Sequence, residues 1–191
     1  KGRCGFCGAR ISPRYALIEL AAAIIGVWSV WHGQGQNGPL MAATAFLGWQ
    51  LLLIAVVDAE NFWLPDILTL PLIGSGLVLN AILLQALPWS QIIGALAGFA
   101  MLWLLAWIYR RVRGRDGLGG GDPILFAGAG AWVGWTGLPS VLLWACAVGF
   151  CVVAARLIVR RKVQATDRLP FGTYLAVGVW LTWLLGPLGA I

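Results

Sequence analysis

Two aspartates in this sequence have the type and the setting of catalytic carboxylates. Asp58 follows a long apolar stretch, and Asp122 comes directly after three glycines in Gly119-Gly120-Gly121-Asp122. Two carboxylates that lie close together do not both ionise readily, so such a pair shares one proton. The ionised member can take a proton from water while the protonated member polarises a carbonyl group. If the fold brings them together, the two aspartates are suited to hydrolysis at a carbonyl.

Each acid in these segments also has a simpler structural explanation. Asp122 precedes Pro123, and an Asp before a Pro at a helix start usually serves as an N-cap. Asp66 follows Pro65 at the start of the next apolar stretch, where it favours the positive end of a helix. Asp58 alone is compatible with an acid at a membrane surface that has no role in chemistry. The three glycines before Asp122 allow the main chain to approach another group closely.

The composition places the whole chain in a membrane. Of its 191 residues, 60% are hydrophobic and 10% are charged, whereas a soluble domain is about 45–50% apolar and about 25% charged. A water-soluble fold cannot hide this much apolar surface, and the 12 Trp residues fit the membrane–water interface. The net charge of +6 is explained by orientation in the membrane, so lipid is expected as a partner and nucleic acid is not.

Seven apolar stretches approach the length of about 20 residues that a membrane span requires. The sequence therefore predicts an all-α, polytopic membrane helix bundle with about seven transmembrane helices. The fifth stretch is the shortest and the richest in Gly, which favours a span shielded from lipid by neighbouring helices. The predicted spans are Arg14 to Trp31, Leu40 to Val57, Leu64 to Leu84, Trp89 to Tyr109, Pro123 to Trp135, Ser140 to Val159 and Pro170 to Leu188.

The basic residues give these spans a direction. All 13 Lys and Arg fall within residues 1–14, 110–115 and 156–168, and seven alternating spans put the three clusters on one side. The positive-inside rule makes that side cytoplasmic, with the N-terminus in the cytoplasm and the C-terminus in the periplasm. Asp58 and Asp122 then lie at the same membrane depth on the cytoplasmic face, in different helices, and that geometry permits a carboxylate pair.

Other catalytic arrangements lack the residues that they need. The single His, His32, lies on the outer side, which excludes a Ser–His–Asp or Cys–His arrangement at the cytoplasmic face. The sequence has no HExxH motif, no P-loop and no GxGxxG motif after a strand. Glu19 is the one acid inside a predicted span, and such residues are costly enough to be functional candidates. We expect it to tune the site or to pair with Arg14.

The two aspartate segments together resemble the motifs of the type IV prepilin leader peptidases, which are GxGD membrane aspartic proteases. Asp58 followed seven residues later by Pro65 matches their first motif, and Gly119-Gly120-Gly121-Asp122 matches GxGD. The segments Arg14-Tyr15 to Glu19 and Leu169-Pro170-Phe171-Gly172 are also similar to that family. The resemblance therefore runs along nearly the whole chain.

The resemblance implies a bacterial inner-membrane endopeptidase that removes the short basic leader from prepilins or pseudopilins at the cytoplasmic face. Peptide hydrolysis would need no cofactor, and in many members the new N-terminal amine is then methylated with S-adenosylmethionine. Pro123 departs from the family, which usually has Val or a similar residue there, and should only stiffen the helix start. The resemblance makes Asp58 and Asp122 catalytic and gives a supporting role to Gly119, Gly121, Pro65, Asp66 and Glu19.

The N-terminal segment departs further from the family. Members commonly carry two C-x-x-C pairs after an extra first span, and here Cys4 and Cys7 form one pair. Tetrahedral zinc takes about four ligands, so this pair is expected to be half of a zinc site or else two free thiols. Because the chain begins at Lys1, we expect an N-terminally truncated protein. Residues 1–13 would be the remnant of a cytoplasmic Cys-containing segment, and residues 14–191 the peptidase core.

Two other functions are compatible with parts of the sequence. A related GxGD protease would act with the same motifs on another signal-type peptide, such as a preflagellin. A small polytopic transporter would explain seven spans and Gly-interrupted helices. It also predicts ionisable residues near the membrane midplane, and only Glu19 comes near that position. The sequence favours the leader peptidase and does not distinguish a pilin from a pseudopilin substrate.

Overall fold

Every regular element in the described residues is an α-helix. The computed structural model describes residues 2, 5–10, 12–32, 38–114, 117–160 and 169–188. These residues form six helices, five of which (α1 to α5) are long and apolar enough to cross a membrane. The predicted all-α, multi-pass membrane fold is confirmed. The helices are α1 (Pro13–His32), α2 (Gly38–Asn61), α3 (Asp66–Leu84), α4 (Trp89–Arg113), α5 (Asp122–Arg160) and α6 (Phe171–Leu185).

The count of about seven spans is approximate because α5 covers two of the predicted stretches. Its 39 residues are interrupted at Gly134, which has φ 73 and ψ 175, a backbone conformation that glycine adopts more readily than other residues. The predicted fifth and sixth spans are therefore the two parts of α5 on either side of Gly134. Each of the seven predicted stretches overlaps one helical segment of the described chain.

The two parts of α5 run in opposite directions along α6. In the first part, the ring of Trp132 meets the ring of Trp183, near the end of α6, with centroids 5.3 Å apart. In the second part, Ser140 Oγ accepts the Leu188 N–H at 2.8 Å, whereas Gly149 lies beside Tyr174 at the start of α6. The second part is therefore antiparallel to α6, and the break at Gly134 reverses the chain.

A buried amide on α3 binds the main chain just before the break. A helix end leaves carbonyl groups without intrahelical partners, and the Nδ2 of Asn80 lies 3.3 Å from both Ala131 O and Trp132 O. The indole N–H of Trp132 donates to Leu72 O on α3 at 3.0 Å. The first part of α5 is buried along nearly all of its length, as predicted for a span that other helices shield. Its packing partners are α3, α4 and α6.

The chain divides into two compact units, residues 1–52 and residues 53–191. In the first unit, the indole N–H of Trp49 on α2 donates to Ala22 O on α1 at 3.0 Å. The second unit contains the end of α2 and all of α3 to α6, and both Asp58 and Asp122 belong to it. The predicted boundary at residue 13 stays a prediction.

Candidate active site

Asp58 lies in the last turn of α2 and is only 5% exposed. The helix continues to Asn61, four residues beyond the predicted end of the span at Val57, so Asp58 is inside the helix and does not follow it. The chain leaves the helix at Phe62, which has a φ of 52° and whose N–H donates to Asp58 O at 2.9 Å. A rigid helix therefore presents the carboxylate.

The start of α6 holds the carboxylate of Asp58. The backbone N–H of Thr173 donates to Asp58 Oδ2 at 2.7 Å. The hydroxyl of the same residue lies 3.1 Å from Asp58 Oδ2 and 3.0 Å from Ala55 O. Both donors stabilise negative charge on the carboxylate. Sequence reasoning missed Thr173, and the only signal for it was the family-like segment that ends at Gly172.

Asp122 is held by the glycine segment that precedes it. It is 5% exposed, and its Oδ2 accepts the Gly119 N–H at 2.9 Å. Its own N–H donates to Gly119 O at 3.2 Å. The predicted N-cap role of Asp122 is wrong. Asp122 is already the first residue of α5, and the cap position belongs to Gly121, whose carbonyl oxygen accepts the Leu125 N–H at 2.9 Å. The carboxylate turns back toward the glycines.

Leu64 lies between the segments that hold the two carboxylates. It belongs to the short connection from α2 to α3 and is 4% exposed. A Cβ atom added to Gly121 would lie 2.7 Å from Leu64 Cβ and 2.8 Å from Leu64 O. One added to Gly172 would lie 2.6 Å from Leu64 Cδ1 and 3.0 Å from Asp58 Cγ. The predicted close approach of the glycine segment is therefore found at Gly121, and the group approached is Leu64.

The structure brings the two predicted carboxylates into one buried region. Asp58 and Asp122 are both buried, and the glycines beside them, Gly172 and Gly121, both lie against Leu64, although the two aspartates come from different helices. Within the described part of the chain, the hydrogen bonds to both carboxylates fall on Oδ2. Asp58 has a hydroxyl and a backbone N–H as donors, and Asp122 has one backbone N–H. Asp58 thus has more donors than Asp122 to stabilise a negative charge.

The predicted supporting residues are found in different settings. Pro65 directly precedes α3. Asp66 is the first residue of α3 and therefore lies in its first turn, as expected. Asp66 is exposed, and so is Glu19, which lies on α1 in the first unit. Gly119 donates to Asp122, as described above. A part in catalysis stays a prediction for all of these residues.

The described residues do not complete a zinc site. Cys7 is exposed, and its predicted partner Cys4 lies outside the described residues. Among the residues that the structure does describe, no three His, Cys, Asp or Glu side chains come together as metal ligands. Zinc at this pair therefore stays a prediction, as does the use of S-adenosylmethionine, for which we identify no binding residues.

Comparison with known families gives two matches that together cover most of the chain. Residues 45–154 match the model of the type IV leader peptidase family. Residues 1–33 match the bacterial peptidase A24 N-terminal domain. The first match includes both Asp58 and Asp122.

Several curated proteins are similar to this chain. A prepilin leader peptidase/N-methyltransferase of Aeromonas salmonicida is 39% identical over 189 residues. Proteins of the same name from Stutzerimonas stutzeri and Pseudomonas aeruginosa are each 36% identical, over 188 and 187 residues. Each alignment covers 97% of this chain and 63% of the relative, so the chain spans 63% of the length of these proteins. No solved structure matches.

Proposed function

The chain belongs to the type IV leader peptidase family, and we propose that it is a membrane-embedded aspartic endopeptidase that removes the leader peptide from prepilins or pseudopilins. The relatives are named prepilin leader peptidases and N-methyltransferases. The observation that carries the proposal is the pair of buried aspartates. They come from two helices, each is fixed by its own donors, and the segments that hold them meet at Leu64.

In the proposed reaction the two aspartates act as base and acid on one water and one peptide bond. Asp58 takes a proton from the water while the water oxygen attacks the carbonyl carbon of the scissile bond. Asp122 gives its proton to the carbonyl oxygen and so stabilises the tetrahedral intermediate. When the C–N bond breaks, the proton on Asp58 passes to the leaving amine and the intermediate returns a proton to Asp122. Both aspartates end in their starting states.

The proposed orientation puts the site at the cytoplasmic face of a bacterial inner membrane. It rests on the basic clusters, because Arg110, Arg111 and Arg113 lie in the last turn of α4, three to six residues after Trp107. The N-terminus would then be cytoplasmic and the C-terminus periplasmic. The apolar helix of the substrate would lie in lipid, and its basic leader would reach the aspartates from the cytoplasm.

The alternatives differ from this proposal in substrate or in class. A GxGD protease acting on another signal-type peptide would use the same two aspartates, so only a substrate test separates it. A transporter is not favoured, since the family is a peptidase family. We also propose N-methylation of the new N-terminus, on the names of the relatives alone.

Cleavage of a prepilin in detergent tests the proposed function. Wild type, Asp58→Ala, Asp122→Ala and Asp66→Ala are compared by gel shift, and the new N-terminus is sequenced. Wild type should cut at the leader boundary, the first two variants should be inactive though folded, and Asp66→Ala should keep measurable activity. Substantial cleavage by Asp58→Ala or Asp122→Ala, or a cut away from the leader boundary, would contradict the proposal.

A further inference from the structure

Asp58 lies at an electrostatically unfavourable position of its own helix. It is in the last turn of α2, where the unpaired carbonyl groups of a helix end carry partial negative charge. A carboxylate there is repelled by its own main chain. Since Asp58 is also almost completely buried, little water is available to offset that repulsion. The negative charge therefore depends on donors from another segment.

The first turn of α6 supplies such donors. Thr173 is the third residue of α6, and the first four N–H groups of a helix have no intrahelical partner. The residue before the helix, Pro170, has no capping hydrogen bond from its side chain. The Thr173 N–H instead donates to Asp58 Oδ2 at 2.7 Å. Asp58 thus acts as a cap for α6, and the positive end of α6 compensates the negative end of α2.

The hydroxyl of Thr173 can respond to the charge of Asp58. Its single proton has two acceptors, Asp58 Oδ2 at 3.1 Å and Ala55 O at 3.0 Å. When Asp58 is ionised, the charged acceptor forms the stronger bond. When Asp58 holds a proton, the hydroxyl can donate to Ala55 O and keep a lone pair toward the carboxyl group. The side chain therefore keeps the carboxyl group in place in both states.

Gly172 allows the start of α6 to come this close. A Cβ atom at this position would lie 3.0 Å from both Cγ and Oδ2 of Asp58, which is closer than a side chain tolerates without a shift. Gly172 and Thr173 are adjacent, so one sets the distance and the other supplies the donors. Together they make the start of α6 a fixed support for the carboxylate.

We infer that Thr173 is a positioning residue, which holds the Asp58 carboxylate in the orientation that the reaction needs. The inference rests on the proposed peptidase function and deepens it. Thr173 acts through Asp58 and does not itself touch the reacting bond. Its loss should slow the chemical step while leaving substrate binding nearly unchanged, because the hydrogen bonds of its N–H and hydroxyl go to Asp58 and Ala55 on α2.

The test compares three variants of α6 in steady-state cleavage of a prepilin by the purified protein. Thr173→Val keeps the shape and removes the hydroxyl, and Thr173→Ser restores the hydroxyl. Thr182→Val is the matched control, since Thr182 lies in the same helix, is 2% exposed, and has a hydroxyl without a hydrogen-bond partner in the described part of the chain. Thermal unfolding of each variant is measured alongside.

We expect Thr173→Val to lower kcat about tenfold with KM changed by less than about twofold. Thr173→Ser should recover most of kcat, and Thr182→Val should match wild type. An unchanged kcat in Thr173→Val, an equal loss in Thr182→Val, or no recovery in Thr173→Ser would overturn the inference while wild-type cleavage keeps the proposed function intact. Absence of prepilin cleavage by wild type would instead overturn the proposed function, and the positioning role with it.

Discussion

The two carboxylates of the candidate site are held in different ways. Asp122 is held by its own chain, since its donor Gly119 is three residues away. Asp58 is held by Thr173, which is 115 residues away in sequence. The hydrogen bond from Gly119 to Asp122 can form as soon as the glycine segment adopts its turn. The hydrogen bond from Thr173 to Asp58 requires α6 to dock beside α2, so the geometry of Asp58 depends on the packing of the whole second unit.

Asp122 therefore has a local support, the glycine segment, and Asp58 has a long-range support, the start of α6. Leu64 lies against both of these segments. Gly121 approaches the backbone of Leu64, whereas Gly172 approaches the end of its side chain. A backbone atom cannot move aside without moving its neighbours, but a side-chain end can rotate. The side of the site that holds Asp122 should therefore tolerate added volume less well than the side that holds Asp58.

Gly121→Ala should cause the largest loss of kcat among the variants that test the two supports. The new Cβ would lie 2.8 Å from Leu64 O, so the segment carrying Asp122 must shift away from Leu64. Displacement of about 1 Å at a catalytic group costs roughly a hundredfold in rate, and we expect a loss of kcat of about that size.

Gly120→Ala is the control for this variant, because a Cβ at Gly120 meets nothing within 4 Å. Kinetics of prepilin cleavage by both variants measure the difference. Equal losses in the two would show that close contact with Leu64 does not position Asp122.

Gly172→Ala should have a smaller effect, because Leu64 Cδ1 can rotate away from the added methyl group. The 3.0 Å approach to the Asp58 carboxylate remains, and it should displace Asp58 by a few tenths of an ångström. We expect kcat to fall about tenfold, less than in Gly121→Ala.

The matched control is Gly74→Ala on α3, where the added Cβ meets nothing within 4 Å. The kcat of prepilin cleavage is measured for both variants. A larger loss in Gly172→Ala than in Gly121→Ala would reverse the proposed order of the two supports.

Asn80→Ala should change stability and leave the rate of cleavage almost unchanged. Asn80 lies on α3, 14 residues beyond Asp66, and its Nδ2 lies within hydrogen-bond distance of Gly76 O, Ala131 O and Trp132 O. Loss of the amide leaves buried carbonyl groups unpaired, at a cost of about 1–3 kcal/mol. Thermal unfolding in detergent should show this loss, with kcat within about twofold of wild type. A large fall in kcat at unchanged stability would link the break at Gly134 to the chemistry.

The helices and the candidate aspartates could be predicted from the sequence because their signals are local. Apolar length gives each span, and the residues around Asp58 and Asp122 mark where spans begin and end. The predicted ends were less accurate, since α2 and α4 both continue four residues beyond the apolar stretch, to Asn61 and Arg113. Hydropathy detects the part of a helix that lies in lipid, and polar residues extend the helix beyond it.

The contacts that hold the site could not be predicted in the same way. The bond from Thr173 to Asp58 and the position of Leu64 depend on which helices pack together, and spacing along the chain carries no information on that. Gly134 is one of several glycines in the short fifth apolar stretch. The sequence alone did not show that its backbone would reverse the chain. For Asp122, an Asp–Pro pair at a helix start predicted a cap, but the hydrogen bond to Gly119 turned the carboxylate back.

The most direct test of the aspartate pair is the residual rate of prepilin cleavage by Asp58→Asn, Asp122→Asn and the double variant, each shown to be folded. Residues that act as one unit are not additive in their effects. The account predicts that each single variant loses at least about a thousandfold and that the double variant is no slower than the slower single one. A single variant that keeps a tenth or more of the wild-type rate, or a double variant whose loss is the product of the two single losses, would contradict it.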